Sequence, residues 1–290
     1  MLIASVLSAG CGQSIETGPE PNMTAALKIR ETFAAAASSK SSKSTAASGE
    51  TETKRPDGWA SLKGRFVLEG NPPARSPVNV DKDQSVCGAH QLFDESIVIG
   101  KDRGIANVAI YVTTRKIPIN KAYEKSATES VVLDNKNCRF EPHVQKLRVG
   151  QTLVVKNSDP VAHNTNIAGR NIQENPLISA GSTKEYPIAA TELEPVKVSC
   201  NIHPWMKARI VVISNPYCDV SKDDGSFELV DLPAGDLEFQ IWQENAGGLD
   251  VKNADLQPGS APGRFKLNLK PGEKKDLKEI VVTPTALKAG

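Results

Sequence analysis

No stretch of the sequence approaches the ~20 consecutive apolar residues that a bilayer-crossing helix requires, and long helical periodicities are scarce throughout. Charge of one sign is also missing: 35 basic residues stand against 34 acidic ones, a formal net charge of +1. That balance argues against nucleic acid and gives no reason to expect a strongly charged partner. Hydrophobic residues make up only 39% of the chain, and part of the shortfall is concentrated in a polar stretch near the N-terminus. No internal repeat of fixed period is present. Glycine (21) and proline (19) are frequent, and with helical patterns lacking they indicate a β protein with many turns.

The opening MLIASVLSAGC is a short apolar stretch that closes on small residues and a cysteine. It resembles the end of a bacterial lipoprotein signal, although no Lys or Arg precedes the apolar run and Ser8 sits where Leu is commoner. The expectation is a signal over residues 1–11, lipidation of Cys11, and a membrane-anchored lipoprotein of the periplasm or cell envelope. Residues 12–57 are rich in Ser, Ala, Thr, Lys and Glu. Such a segment lacks the apolar area to offset its ordering entropy, so a disordered, flexible tether is expected, with a reach of roughly 35–40 Å.

From Leu62 onward, β-branched and alternating runs follow one another: SLKGRFVLEG, ESIVIG, NVAIYVTT, ESVVLDN, HVQKLRVG, QTLVVKNSD, TKEYPIA, PVKVSC, KARIVVIS, SFELVDLPAG, LEFQIW, GRFKLNL and LKEIVVTP. Turn signals recur between them, the pattern of a sandwich or barrel.

Within SCNIHPWMKARIVVIS, residues Cys200, His203 and Met206 form C-x2-H-x2-M on a loop between two β runs. NSDPVAHN places His163 just after the strand QTLVVKN. Read singly, Cys200 is a buried thiol, Met206 core filler, and His203 with Pro204 a turn. Together, a thiolate, a thioether and two imidazoles form a donor set that suits copper better than calcium, magnesium or a plain zinc site. His143 and His90 fall outside this pattern and read as surface or structural histidines. Trp205 is either core or an exposed apolar contact beside the loop.

CRFEPHVQKLRVGQTLVVKNSDPVAHN and CNIHPWMKARIVVI resemble the two halves of the cupredoxin family, and more narrowly its amicyanin-like small blue copper proteins. The resemblance covers about 132–213 and implies an all-β, Greek-key sandwich of cupredoxin type. It implies His163, Cys200 and His203 as equatorial ligands of one mononuclear Cu(I)/Cu(II) ion, Met206 as the axial ligand, and Asn164 as the residue that steadies the ligand loop.

GRFVLEGNPP with IANVAIYV, and CDVSKDDGSFELVDLPAGDLEFQIWQEN, resemble separated parts of a prealbumin-like, carboxypeptidase-regulatory sandwich. The expected domains are therefore 58–129, the first part of that sandwich; 130–214, the cupredoxin domain; and 215–290, the second part with the C-terminal strands. Either the cupredoxin module is inserted into the small sandwich, which is physically tolerated at a loop tip, or the two share one enlarged sandwich. SKDDGSF is a polar turn, since it lacks the full calcium-loop pattern. Trp242 and Glu244 read as a strand aromatic and a strand-end charge. Of the remaining cysteines, Cys87 and Cys138 are the preferred disulfide pair, which leaves Cys218 over; three free buried thiols are the alternative.

The neighbours of Cys200 are Ser199 and Asn201, so the histidine that would couple it to a second copper centre is missing, and the loop holds no second cysteine. The expected function is type 1 (blue) copper electron transfer outside the cytoplasm by a carrier and not an enzyme. Its expected partners are redox proteins of unknown identity and the membrane, through the lipid anchor. The alternative is copper storage, delivery or sensing without a redox role.

Overall fold

Period-two alternation dictates the strands of the central region. In Ser130–Lys136, Leu133 and Asn135 point inward and their neighbours outward, and in Thr152–Asn157 the inward set is Leu153, Val155 and Asn157. The computed structural model describes residues 57–251 and 253–287. The expected leader 1–11 with Cys11, and all but the last residue of the expected tether 12–57, lie outside the described residues.

The central sandwich has two sheets. One runs in the order Thr183–Pro187, Thr152–Asn157, Ser130–Lys136, Arg139–Glu141. The other runs Gln173–Glu174, Asn166–Ala168, Val196–Ser199, Lys207–Ile213, Val144–Arg148. Ser130–Lys136 pairs in parallel with Thr152–Asn157, and Val144–Arg148 in parallel with Lys207–Ile213. Parallel neighbours within one sheet require connections that cross to the opposite sheet and return, the Greek-key trait. Between the sheets lie Leu133, Phe140, Leu147, Leu153, Val155, Ile167, Val198 and Ile210, all buried. Each large side chain there contributes about 1.5–3 kcal/mol of transfer free energy.

A second sandwich is built from both sides of this region in sequence. Trp59–Leu68 lies between Ser226–Pro233, antiparallel with Leu62 opposite Leu229, and Lys274–Val282, parallel with Phe66 opposite Ile280. The facing sheet orders Cys218–Val220, Ala109–Val112, Gly235–Gln243, Arg264–Leu269 and Gln257–Pro258. Phe66 stacks on Phe227 at 4.9 Å and Phe239 on Phe265 at 5.0 Å within its core. SKDDGSF is the turn entering Ser226–Pro233. There Gly225 has φ +81 and a Cβ would meet Phe66 O at 2.1 Å, so a side chain is sterically excluded.

The outer faces of the two sandwiches meet. Val144 and Val211 of the central one pack on Ala109, Cys218 and Trp242 of the other, so Trp242 is a junction aromatic. Glu244 is no exposed strand-end charge: its carboxylate bonds His143 Nε2 at 2.6 Å and Arg209 at 2.9 Å. His143 is thereby a buried structural residue of the junction.

Two expectations change. ESIVIG contributes only the two-residue strand Val98–Ile99, paired with Ile105–Ala106, because Ile97 and Ile99 are spent on packing against the flanking core. Residues 71–96, expected within the flanking sandwich, instead lie along the central one. The hydrogen bonds Val78 N–H to Leu92 O and Asp94 N–H to Ser76 O close this segment into a strap. Its Val78, Val80, Val86, Cys87 and Leu92 cluster with Cys138 and Trp205. Cys87 and Cys138 form a disulfide.

Candidate metal centre

The site is assembled by a turn anchored on the buried Asn157, a hairpin turn held by Asp159, and one tight loop. Asn157, at the end of its strand, donates through Nδ2 to Val161 O (2.8 Å) and Ile178 O (2.9 Å), and its Oδ1 accepts from Asp159 N–H (3.0 Å). These bonds fix the turn that presents Asp159 and His163. Satisfying all three groups is what allows a fully buried amide there. The Asn137–Cys138 turn, with both φ values positive (55 and 54), joins Ser130–Lys136 to Arg139–Glu141. Asp159 accepts both of its N–H groups, from Asn137 at 2.7 Å and Cys138 at 2.8 Å.

Cys200 ends the strand Val196–Ser199 and opens the ligand loop. The loop is closed by Met206 N–H to His203 O (2.9 Å) and Cys200 N–H to Met206 O (3.2 Å). Cys200, His203 and Met206 are all buried. Asn164 Oδ1 accepts from Asn201 N–H at 2.7 Å and Ile202 N–H at 3.2 Å and lies 3.3 Å from Cys200 Sγ. Asn164 thereby ties its own strand to the loop.

The two imidazoles converge. His163 Nδ1 stands 2.9 Å from His203 Nδ1, and Cys200 Sγ stands 3.7 Å from His203 Nδ1. His163, Cys200 and His203 each offer a ligand atom within 4.8 Å of the others, and both histidines are 0% exposed. The structure places Met206 on the same loop and in the same core cluster. The far nitrogen of each ring donates to a carboxylate: His163 Nε2 to Asp159 at 2.9 Å and His203 Nε2 to Asp83 at 2.7 Å. With Nε2 engaged by a carboxylate, each ring turns its Nδ1 into the site. Burial pushes His163 below its ordinary pKa, and the neighbouring His203 adds to this, while the Asp159 hydrogen bond opposes it. Neutral imidazole is the form that binds metal.

Two lone pairs facing each other at 2.9 Å beside a sulfur repel unless a proton or metal cation lies between them. The donor set therefore fits a soft or borderline cation, and two nitrogens with a cysteine sulfur match copper. Trp205 is partly buried; its Nε1–H donates to Cys138 O (3.2 Å), and its ring lies 5.2 Å from that of His203. His90 takes no part in the site. Cys218 lies in the junction, where burial pushes its thiol up to about 12 and keeps it protonated.

Sequence reasoning missed both carboxylates. Asp159 had a signal, four residues before His163 in NSDPVAH, whereas Asp83 in VDKDQ had none.

No family model matches the chain, and no curated protein does. Part of the chain is similar to solved structures of cupredoxins. Amicyanin from Paracoccus versutus is 18% identical over 36% of this chain and 96% of its own, with a TM-score of 0.26. A purple cupredoxin from Nitrosopumilus maritimus is 25% identical over 29% of this chain and 98% of its own, with a TM-score of 0.25. A copper-containing nitrite reductase from Thermus scotoductus is 22% identical over 29% of this chain, with a TM-score of 0.26, and only 22% of that enzyme's length is spanned. Most of the chain lies outside each match.

Proposed function

We propose that the chain binds one copper ion through His163, Cys200, His203 and Met206 and carries single electrons outside the cytoplasm. The observation that carries this reading is the convergence of two Nδ1 atoms and Cys200 Sγ at one buried point, from turns far apart in sequence. Copper held there supplies a one-electron Cu(II)/Cu(I) couple.

The chain's own part is to hold the donors still and dry. Asp159 and Asp83 fix the tautomer and orientation of the rings, and Asn164 holds the loop beneath Cys200. The backbone N–H of His203 points at Cys200 Sγ from 3.4 Å and helps to orient the sulfur. Fixed donors change little between oxidation states, which suits electron transfer. Complete burial of both imidazoles opposes the ready exchange that storage or delivery requires. Ser199 and Asn201 flank Cys200, so the chain lacks a histidine there to couple it to a second centre, which favours a carrier over an enzyme.

A disulfide between Cys87 and Cys138 is in keeping with an oxidising compartment. Among the described residues no helix is long and apolar enough to cross a membrane, and attachment is proposed through lipidated Cys11. Other redox proteins are the proposed donor and acceptor. The proposed organisation is a copper domain, 130–214, between the two parts of a flanking sandwich, 58–129 and 215–290, with residues 71–96 of the first part lying along the copper domain.

Copper(II) reconstitution followed by visible absorption tests the proposal. An intense thiolate-to-copper band that bleaches reversibly with mild reductant, and is absent in Cys200→Ser, is expected. Failure to take up copper, or a Cys200→Ser protein that remains blue, overturns it. Binding of Cu(I) alone with rapid loss to chelators would turn the reading to delivery.

A further inference from the structure

The outer edge of His203 is covered by a residue from outside the sandwich that houses it. Asp83 belongs to the strap 71–96, yet its Oδ2 accepts from His203 Nε2 at 2.7 Å. The imidazole is 0% exposed, while the Asp83 side chain remains 41% exposed. Without the strap this ring edge would face water, because the loop residues on either side, Ile202 and Pro204, are themselves exposed.

The strap is fastened so that this contact is aimed. Asp83 has φ 42, a left-handed conformation that Asp and Asn tolerate better than most residues. Its carbonyl accepts from Val86 N–H (2.9 Å) and Cys87 N–H (2.8 Å), forming the turn that carries the carboxylate. Cys87 then joins the central sandwich through Cys138. Cys138 O in turn accepts from Trp205, two residues beyond His203. The turn bearing Asp83 is therefore pinned both covalently and by the ligand loop itself.

We infer that Asp83 is a positioning residue for His203. It holds the Nε2 proton in place, which keeps the Nδ1 lone pair directed into the site, and it closes the ring edge against solvent. The inference rests on the copper reading for its effect on affinity, but the hydrogen bond and its consequence for the tautomer belong to the metal-free protein as well. Outer carboxylate partners of ligating histidines typically contribute 10–100-fold in metal affinity.

The test uses Asp83→Asn, which preserves shape and tolerance of the left-handed backbone, with Asp83→Ala, Asp83→Glu, and Asp81→Asn as an exposed control on the same strap. Two readouts are taken: the tautomer and solvent exchange of His203 by nitrogen-15 NMR on metal-free protein, and copper affinity by competition with a chromophoric chelator. In wild type and Asp81→Asn, a slowly exchanging Nε2–H is expected. Asp83→Asn and Asp83→Ala are expected to mix tautomers, exchange faster and bind copper about 10–100-fold more weakly, with Asp83→Glu recovering part of the loss. If Asp83→Ala keeps the wild-type tautomer and an affinity within about twofold of wild type, the inference is overturned. If the tautomer responds as expected but no variant, wild type included, binds copper, the positioning role stands and the copper reading falls.

Discussion

A single oxygen, Oδ2 of Asp159, accepts from both His163 Nε2 at 2.9 Å and the backbone N–H of Cys138 at 2.8 Å. The inner imidazole is thereby coupled to the hairpin turn that also carries the disulfide to the strap. Asp159 serves three donors from within a buried environment.

Replacing Asp159 with Ala removes a charged acceptor from all three. Hydrogen bonds to charged groups are worth about 1.5–3 kcal/mol each, and they are not additive when they share one acceptor. A loss of about 3 kcal/mol in urea unfolding is expected, together with weaker copper binding. Stability within about 0.5 kcal/mol of wild type would contradict this account of the turn.

The Cys87–Cys138 bridge closes a loop across a sequence separation of 51. In the chain-entropy treatment, a closure of that length stabilises by about 4 kcal/mol. The double substitution Cys87→Ser with Cys138→Ser is expected to lose about 2–4 kcal/mol and to raise hydrogen exchange along residues 77–94. Unchanged protection over that segment would mean that packing alone fastens the strap.

The junction has its own charge chemistry. Burial acts to raise the Glu244 carboxyl, but the hydrogen bond and charge of His143 and the Arg209 guanidinium outweigh it and hold the group below its ordinary value of 4.5. A carboxyl lowered in the folded state adds stability that is present above about pH 4.5 and lost as pH falls through the lower folded value. Glu244→Gln is expected to cost about 3 kcal/mol at pH 7. The gap from wild type should close as the solution is acidified. Chemical denaturation at pH 7 and pH 3.5 measures it, and a constant gap would refute the pairing.

Met206 lies buried on the ligand loop. Met206→Leu is expected to leave the thiolate-to-copper band in place and to raise the midpoint potential, because a weak sulfur donor that favours Cu(II) is lost. Voltammetry of the reconstituted variant decides the sign.

Much of the molecule is legible in its sequence because its physics is periodic. Leu133, Leu153 and Val155 announce inward faces by alternation, and a β-sandwich follows from such strands and their turns. His163, Cys200 and His203 were readable as a group through their residue types and strand-flanked positions, and the structure brings their ligand atoms together. The strap was not legible. GNPPARSPVNVDKDQSV has no period to read, and its position is set by a disulfide and a few apolar contacts to Trp205 and Cys138. Asp83 could not be assigned without coordinates, since nothing in VDKDQ distinguishes a carboxylate that meets an imidazole from one that meets water. Glu244 and His143 escaped for a related reason: each looks like an ordinary polar residue until two outer sheet faces are placed against each other.

The strand Trp59–Leu68 emerges early in synthesis, but its partners Ser226–Pro233 and Lys274–Val282 are made only after the whole central sandwich. The central sandwich draws its pairings from 130–213 alone, so local closure favours its completion first. During that interval Trp59–Leu68 is an edge without a neighbour, open to pairing with another chain. Nascent chains halted before residue 226 are therefore the species in which aggregation of this protein should begin.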